Sequence, residues 1–122
     1  MSAGIILFAH GSRVESANEA VRAAAKGLAC VGPCPLVEPA FLELGQPDLA
    51  GAALRLVQAG VHRIIVVPYF LTLGTHMERD LPALVQDIAK SFNDIEISVT
   101  PPLDGHPALV QILQDRAVDA LG

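Results

Sequence analysis

Three features of the chain predict an α/β fold with a four-stranded parallel sheet, in the order 2-1-3-4, and helices on both faces. Four apolar runs, beginning at Gly4, Leu36, His62 and Ile95, are each followed by a stretch whose apolar residues recur at helical spacing. That alternation is the pattern of successive βα units joined by right-handed crossovers. The run Ile64-Ile65-Val66-Val67 is continuously β-branched, as in strands buried on both faces of a parallel sheet, and it belongs in the middle. Pro39 interrupts the second run; lacking an N–H it is costly inside a ladder, so that strand goes to the edge.

Taken in order, Gly4 to Ala9 reads as a buried strand that runs into His10-Gly11-Ser12. Ser12 is placed to cap the first helix, whose apolar face is Val14, Ala17, Val21, Ala24 and Leu28, up to a Gly/Pro loop at 32–35. Cys30 and Cys34 are separated by three residues, neither a disulfide framework nor a CxxC metal hook, and read as thiols in a connecting loop. Leu36 to Leu44 is the edge strand, and Gly45-Gln46-Pro47-Asp48 ends it. Leu49, Ala53, Leu56 and Val57 form the next helical stripe, stopped by Gly60. His62 to Leu71 is the central strand, with Pro68 tolerated where ladder pairing is already ending. The third helix is expected to start near Asp80, taking Pro82 in its first turn where no donor is lost, with Leu81, Leu84, Val85, Ile88 and Phe92 inward. Ile95 to Val99 is a short fourth strand, 100–105 a loop, and His106-Pro107 opens a last helix with Leu109, Val110, Leu113, Ala117 and Leu121 on one face.

At 122 residues and 52% apolar content, residues 1–122 fit one domain with a core that needs no disulfides. Thirteen acidic against eight basic residues give a formal charge of -5, and no Lys/Arg run supplies the positive footprint that nucleic acid requires. The longest apolar stretch, Ile64 to Leu71, is broken by Pro68 and falls short of the roughly 18 residues of a membrane span. No positive segment precedes the N-terminal apolar run. The expectation is a soluble, cytoplasmic protein without a nucleic-acid or membrane partner.

His10, Glu43 and His76 are the candidate catalytic residues. Their separations are equal, since 43 minus 10 and 76 minus 43 are both 33, the length of one βα unit each time. This places all three at the carboxyl edge of the first three strands, and the junction of strands 1 and 3 is the switch point where such sheets bind ligands. Neighbouring strands are only about 4.8 Å apart, so the three side chains are expected to converge on one crevice. Two neutral imidazoles and a carboxylate leave coordination positions open on a divalent transition metal. The same groups could accept protons near neutral pH. Spacing alone equally allows a strand-capping His10, a solvated Glu43 and a His76 in a turn. His62 falls at the opposite end of its strand and reads as surface; His106, before a proline, reads as a helix start.

The strand ending in Ala9-His10-Gly11-Ser12, Phe41-Leu42-Glu43 followed by Pro47, Val66-Val67-Pro68-Tyr69-Phe70-Leu71, and Gly74-Thr75-His76-Met77-Glu78-Arg79-Asp80-Leu81-Pro82 occur in this order along nearly the whole chain. As a set they resemble the small class II chelatases of tetrapyrrole biosynthesis, the group containing sirohydrochlorin cobaltochelatase. The resemblance implies a chelatase-like single lobe in which His10 and His76 bind the metal and Glu43 lies beside them. It implies insertion of cobalt first, or nickel or iron, into sirohydrochlorin or a similar tetrapyrrole without nucleotide hydrolysis. The divalent metal is then a substrate, and no tightly bound cofactor and no iron–sulfur cluster is expected. Larger relatives carry two such lobes, so resemblance to the short members implies a homodimer.

The many carboxylates of such a substrate conflict with the net negative charge, and local cations must offset it. Arg13 and Arg79 are placed for that role. Ser12 and Thr75 join them as substrate-binding candidates, with backbone donors at helix starts near Ser12 and Asp80, and Tyr69 and Thr72 are further candidates for the pocket wall. A non-catalytic metal or tetrapyrrole carrier would use the same histidines. A histidine phosphotransfer enzyme would need an arginine before His10, where this chain has Ala9.

Overall fold

A computed structural model describes residues 2–122. The elements are β1 (Ala3–Ala9), α1 (Glu15–Val31), β2 (Val37–Phe41), α2 (Leu49–Gln58), β3 (Arg63–Pro68), α3 (Thr75–Lys90), β4 (Glu96–Val99) and α4 (Pro107–Leu121). All strand pairs are parallel and the order is β2-β1-β3-β4, as the alternation of runs predicts.

Period-2 alternation along β1 builds a core on each face of the sheet. Ile6 and Phe8 join Ile64 and Val66 of β3 beneath α2 and α3, where Leu49, Ala53, Leu56, Leu81, Val85 and Ile88 are buried. Leu7 and Ala9 point the other way, against Phe41 and the α1 residues Val21 and Ala25. Each such large side chain removed from water contributes about 1.5–3 kcal/mol. Pro39 pairs with Leu7 on the edge strand, so its missing donor leaves no partner unsatisfied on an inner ladder. Pro68 closes β3 beside Phe8.

One helix end follows the sequence reading: Gly60 comes after α2 at φ +92, a conformation in which a side chain is strained. At the other end Asp48 caps α2, accepting from the Gly51 N–H at 2.8 Å. Three other helices depart from the sequence reading. Ser12 is not the cap of α1: the helix begins at Glu15 after Val14, and the Ser12 hydroxyl instead accepts from the Val14 N–H at 3.0 Å. The buried stripe of α1 is Asn18, Val21 and Ala25, rotated from the predicted one, so that Val14 and Ala17 are exposed.

α3 starts at Thr75 rather than near Asp80, because Met77 extends the stripe of Leu81, Val85 and Ile88 by one turn and packs against the same core. Pro82 therefore lies inside the helix, at the loss of the one bond its N–H would have made to Glu78, and Leu84 is exposed. The predicted inward face of α4 is not inward: the helix buries no residue, and Val110, Leu113, Val118 and Leu121 are exposed. Among the described residues no helix is long and apolar enough to cross a membrane.

Candidate active site

The first two strands hand their chains into one tightly tied corner. Beyond the ladder, Leu42 N–H donates to Ala9 C=O at 2.9 Å and Glu43 N–H donates to His10 C=O at 3.1 Å. Between them Gly11 sits at φ +94, and a Cβ there would lie 1.7 Å from the Glu43 carbonyl oxygen. Only glycine fits this approach of two backbones. The result sets His10 Nδ1 3.8 Å from Glu43 Oε1, with both side chains more than half exposed at 59% and 57%. That separation is an ion-pair distance, longer than a hydrogen bond.

The third predicted residue reaches the site differently from the sequence reading. β3 ends at Pro68, and a loop leads to α3, so His76 stands in the first turn of a helix and not at a strand end. The two even spacings of 33 are thus not two equal βα units, although they lead to the right edge of the sheet. His10 and His76 line one cavity of about 300 Å³, together with Leu42, Phe70, Leu73 and Thr75. Phe70 and His10 form a T-shaped pair with centroids 6.5 Å apart, and Phe8 supports Phe70 from the core at 6.1 Å. The wall is therefore largely apolar with two imidazoles set into it.

Convergence is pairwise. His10 approaches Glu43 at 3.8 Å and shares the cavity with His76, while among the described residues no three His, Cys, Asp or Glu side chains form a ready-made ligand cluster.

Of the substrate-binding candidates, Thr75 lines the cavity and Arg13 is exposed at the start of the loop after Ser12. Arg79 turns back on its own helix, with Nη2 3.3 Å from His76 Nδ1 and Nε 3.1 Å from Asp80. An always-charged guanidinium can only donate, so His76 Nδ1 is the acceptor in that contact. Tyr69 and Thr72 are exposed. His62 is exposed, as expected, and His106 caps α4 by accepting from the Ala108 N–H at 3.0 Å. A second groove of about 460 Å³ adjoins the first through His76 and runs along α3 past Asp80, Leu84 and Asp87.

One residue at this corner escapes the sequence reading. Asn18 is 1% exposed, and its amide bonds to both backbone groups of Ser12 and to the Leu44 carbonyl. A polar amide inside a helical apolar stripe is the signal that could have found it.

The fold and site define a parallel four-stranded α/β lobe with two histidines lining one open cavity beyond the carboxyl ends of its strands. The CbiX family model matches residues 4–120, and the chain belongs to that family. It is 38% identical over 113 residues to the chloroplastic sirohydrochlorin ferrochelatase of Arabidopsis thaliana, covering 93% of this chain and 50% of that protein. Similarity to the sirohydrochlorin cobaltochelatase of Sulfolobus acidocaldarius is 33% over 118 residues, covering 97% and 92%. The sirohydrochlorin chelatase SirB of Bacillus subtilis subspecies spizizenii, solved in complex with cobalt, superposes with a TM-score of 0.89 at 29% identity, covering 98% of this chain and 51% of SirB. The chain thus spans about half the length of the plant protein and of SirB, and nearly all of the archaeal one.

Proposed function

We propose that this protein inserts a divalent metal ion into sirohydrochlorin, or a closely similar tetrapyrrole, as a sirohydrochlorin cobaltochelatase-type lyase that uses no nucleotide. The observation that carries this reading is the placement of His10 and His76 on one apolar-walled cavity with Glu43 beside His10. The names of the family relatives support the substrate.

Metallation removes water from the ion, takes two protons from pyrrole nitrogens and forms four metal–nitrogen bonds. His10 and His76 present the ion through imidazole lone pairs, and the open coordination positions receive the ring nitrogens. As each N–H is replaced by a metal bond, Glu43 and then the released imidazoles accept the protons and pass them to solvent, to which Glu43 and His10 are open. The dication enters, two protons leave, and the charge balances without a covalent intermediate. Holding ion and ring together in one cleft replaces a slow encounter, worth on the order of 7 kcal/mol at the favourable limit. Thr75 lines the cavity, and we assign Arg13, Ser12 and Arg79 with it to the substrate's carboxylates. For Arg79 that means leaving His76, so a carboxylate that draws the guanidinium away also frees Nδ1.

Two nitrogen donors and a carboxylate suit cobalt, nickel and iron alike, and the relatives divide between cobalt and iron. We assign cobalt first, as a substrate and not as a resident cofactor, and take the cytoplasm as the compartment. We further assign residues 1–122 as one chelatase-like lobe that works as a homodimer. The exposed apolar side chains of α4 support a second copy, because a surface of this kind calls for a partner. Sedimentation equilibrium tests it: a dimer is expected, and a stable monomer at working concentration contradicts the shared cleft.

The function is tested by mixing protein with excess sirohydrochlorin and cobalt(II) and following the visible spectrum against a protein-free control. Many turnovers per protein are expected; a change that stops at one equivalent would make this a carrier, and no change would dismiss both.

A further inference from the structure

We propose that Asn18 is a positioning residue that fixes the spacing of His10 and Glu43 by clamping the two loops that carry them, an inference that rests on the metal-insertion reading above. Asn18 lies in the first turns of α1 and is the one buried polar residue of the core among the described residues. A buried amide is costly unless its hydrogen bonds are made, and here they are. Its Oδ1 accepts from the Ser12 N–H at 2.9 Å, and its Nδ2 donates to Ser12 C=O at 2.9 Å and to Leu44 C=O at 2.9 Å, with Glu15 Oε2 further off at 3.4 Å.

Those partners are informative because of what they flank. Ser12 follows His10 on the loop after β1, and Leu44 follows Glu43 on the loop after β2. One side chain thus holds both loops from below, while Gly11 lets them touch above. Leu44 itself has φ 58, a conformation that a bulky apolar residue rarely adopts, and its carbonyl in that conformation is the one bound to Asn18. With the Leu44 side chain exposed, packing does not explain the backbone there, and the clamp does. A fully satisfied buried polar group of this kind specifies one geometry, and the geometry it specifies is the contact of His10 with Glu43.

Asn18 touches neither the cavity nor the reacting atoms, so it acts through the two loops it holds. Asn18→Ala should therefore lower kcat for metal insertion by about tenfold or more, the usual effect of losing a residue that orients a ligand. It should weaken cobalt(II) binding in the absence of tetrapyrrole by a similar factor, and raise KM for sirohydrochlorin by much less than it lowers kcat. Combined with Glu43→Gln, it should add little further loss, because both changes disable one contact. Where Asn18→Ala does not fold, Asn18→Ser puts a shorter hydroxyl with a single O–H donor in place of the amide, which can serve at most one of the two carbonyls, and carries the same readouts. Losses in kcat that multiply in the double variant, or a matching rise in KM for sirohydrochlorin, would overturn the proposal. If wild-type protein inserts no metal, the functional reading falls. The clamp is then judged by cobalt(II) affinity alone, which it predicts to drop in the variant and which an unchanged value would refute.

Discussion

Gly11→Ala puts the tied corner under direct stress. The added Cβ would lie 1.7 Å from the Glu43 carbonyl oxygen, against the 3.0 Å below which real contacts essentially never fall, so the two backbones must part by at least 1.3 Å, the difference of those values. Alanine held at φ +94 also costs roughly 1–2 kcal/mol in conformation alone. Parting the loops removes the bond from Glu43 N–H to His10 C=O, worth about 1 kcal/mol more. The expected destabilisation is therefore about 2–3 kcal/mol, or a melting point lower by roughly 8–12 °C for a domain of this size. Because a misplacement of about 1 Å can cost on the order of a hundredfold in rate, turnover should fall by about that factor even well below the melting transition. Thermal unfolding by circular dichroism, paired with cobalt-insertion kinetics on the same samples, makes the measurement. A variant with wild-type melting and wild-type kcat would refute the close approach on which the site geometry rests.

His10→Ala and His76→Ala should each reduce metal insertion by more than about a hundredfold while leaving the far-ultraviolet spectrum unchanged, since both side chains are exposed; unchanged turnover in both removes the assignment. Glu43→Gln should slow kcat more than it weakens cobalt(II) affinity, as seen by comparing steady-state rates with direct titration, and the reverse order would make Glu43 chiefly a ligand. Asp48→Ala should cost about 1 kcal/mol in urea unfolding through loss of the α2 cap, with no effect on turnover.

The sheet was legible because its signals are local and redundant. The β-branched run in β3 and Pro39 in β2 each constrain strand position, and together they place His10 and Glu43 at neighbouring strand ends. Helix starts were less legible, since Ser12 and Pro82 each carry a strong local preference that tertiary packing overrides. Ser12 is drawn to Asn18 and Val14 instead of capping, and Met77 pulls α3 back by a turn. His76 was therefore found at the right edge through an incorrect count of units. Asn18 was missed because a helical stripe is read from its apolar members, and its value lies in three backbone groups that no spacing reveals. The exposed face of α4 has the sequence of a buried one; where such a face packs is not encoded in its period.

The central claim is that His10 and His76, far apart along the chain, hold the same ion. Nitrogen-15 spectra of the labelled histidines during titration with cobalt(II) test it most directly. The account predicts that the His10 and His76 imidazole signals shift or broaden together and saturate at one ion per lobe, with His62 and His106 unaffected. Saturation of one histidine without the other, or two independent ions at separate affinities, would contradict it.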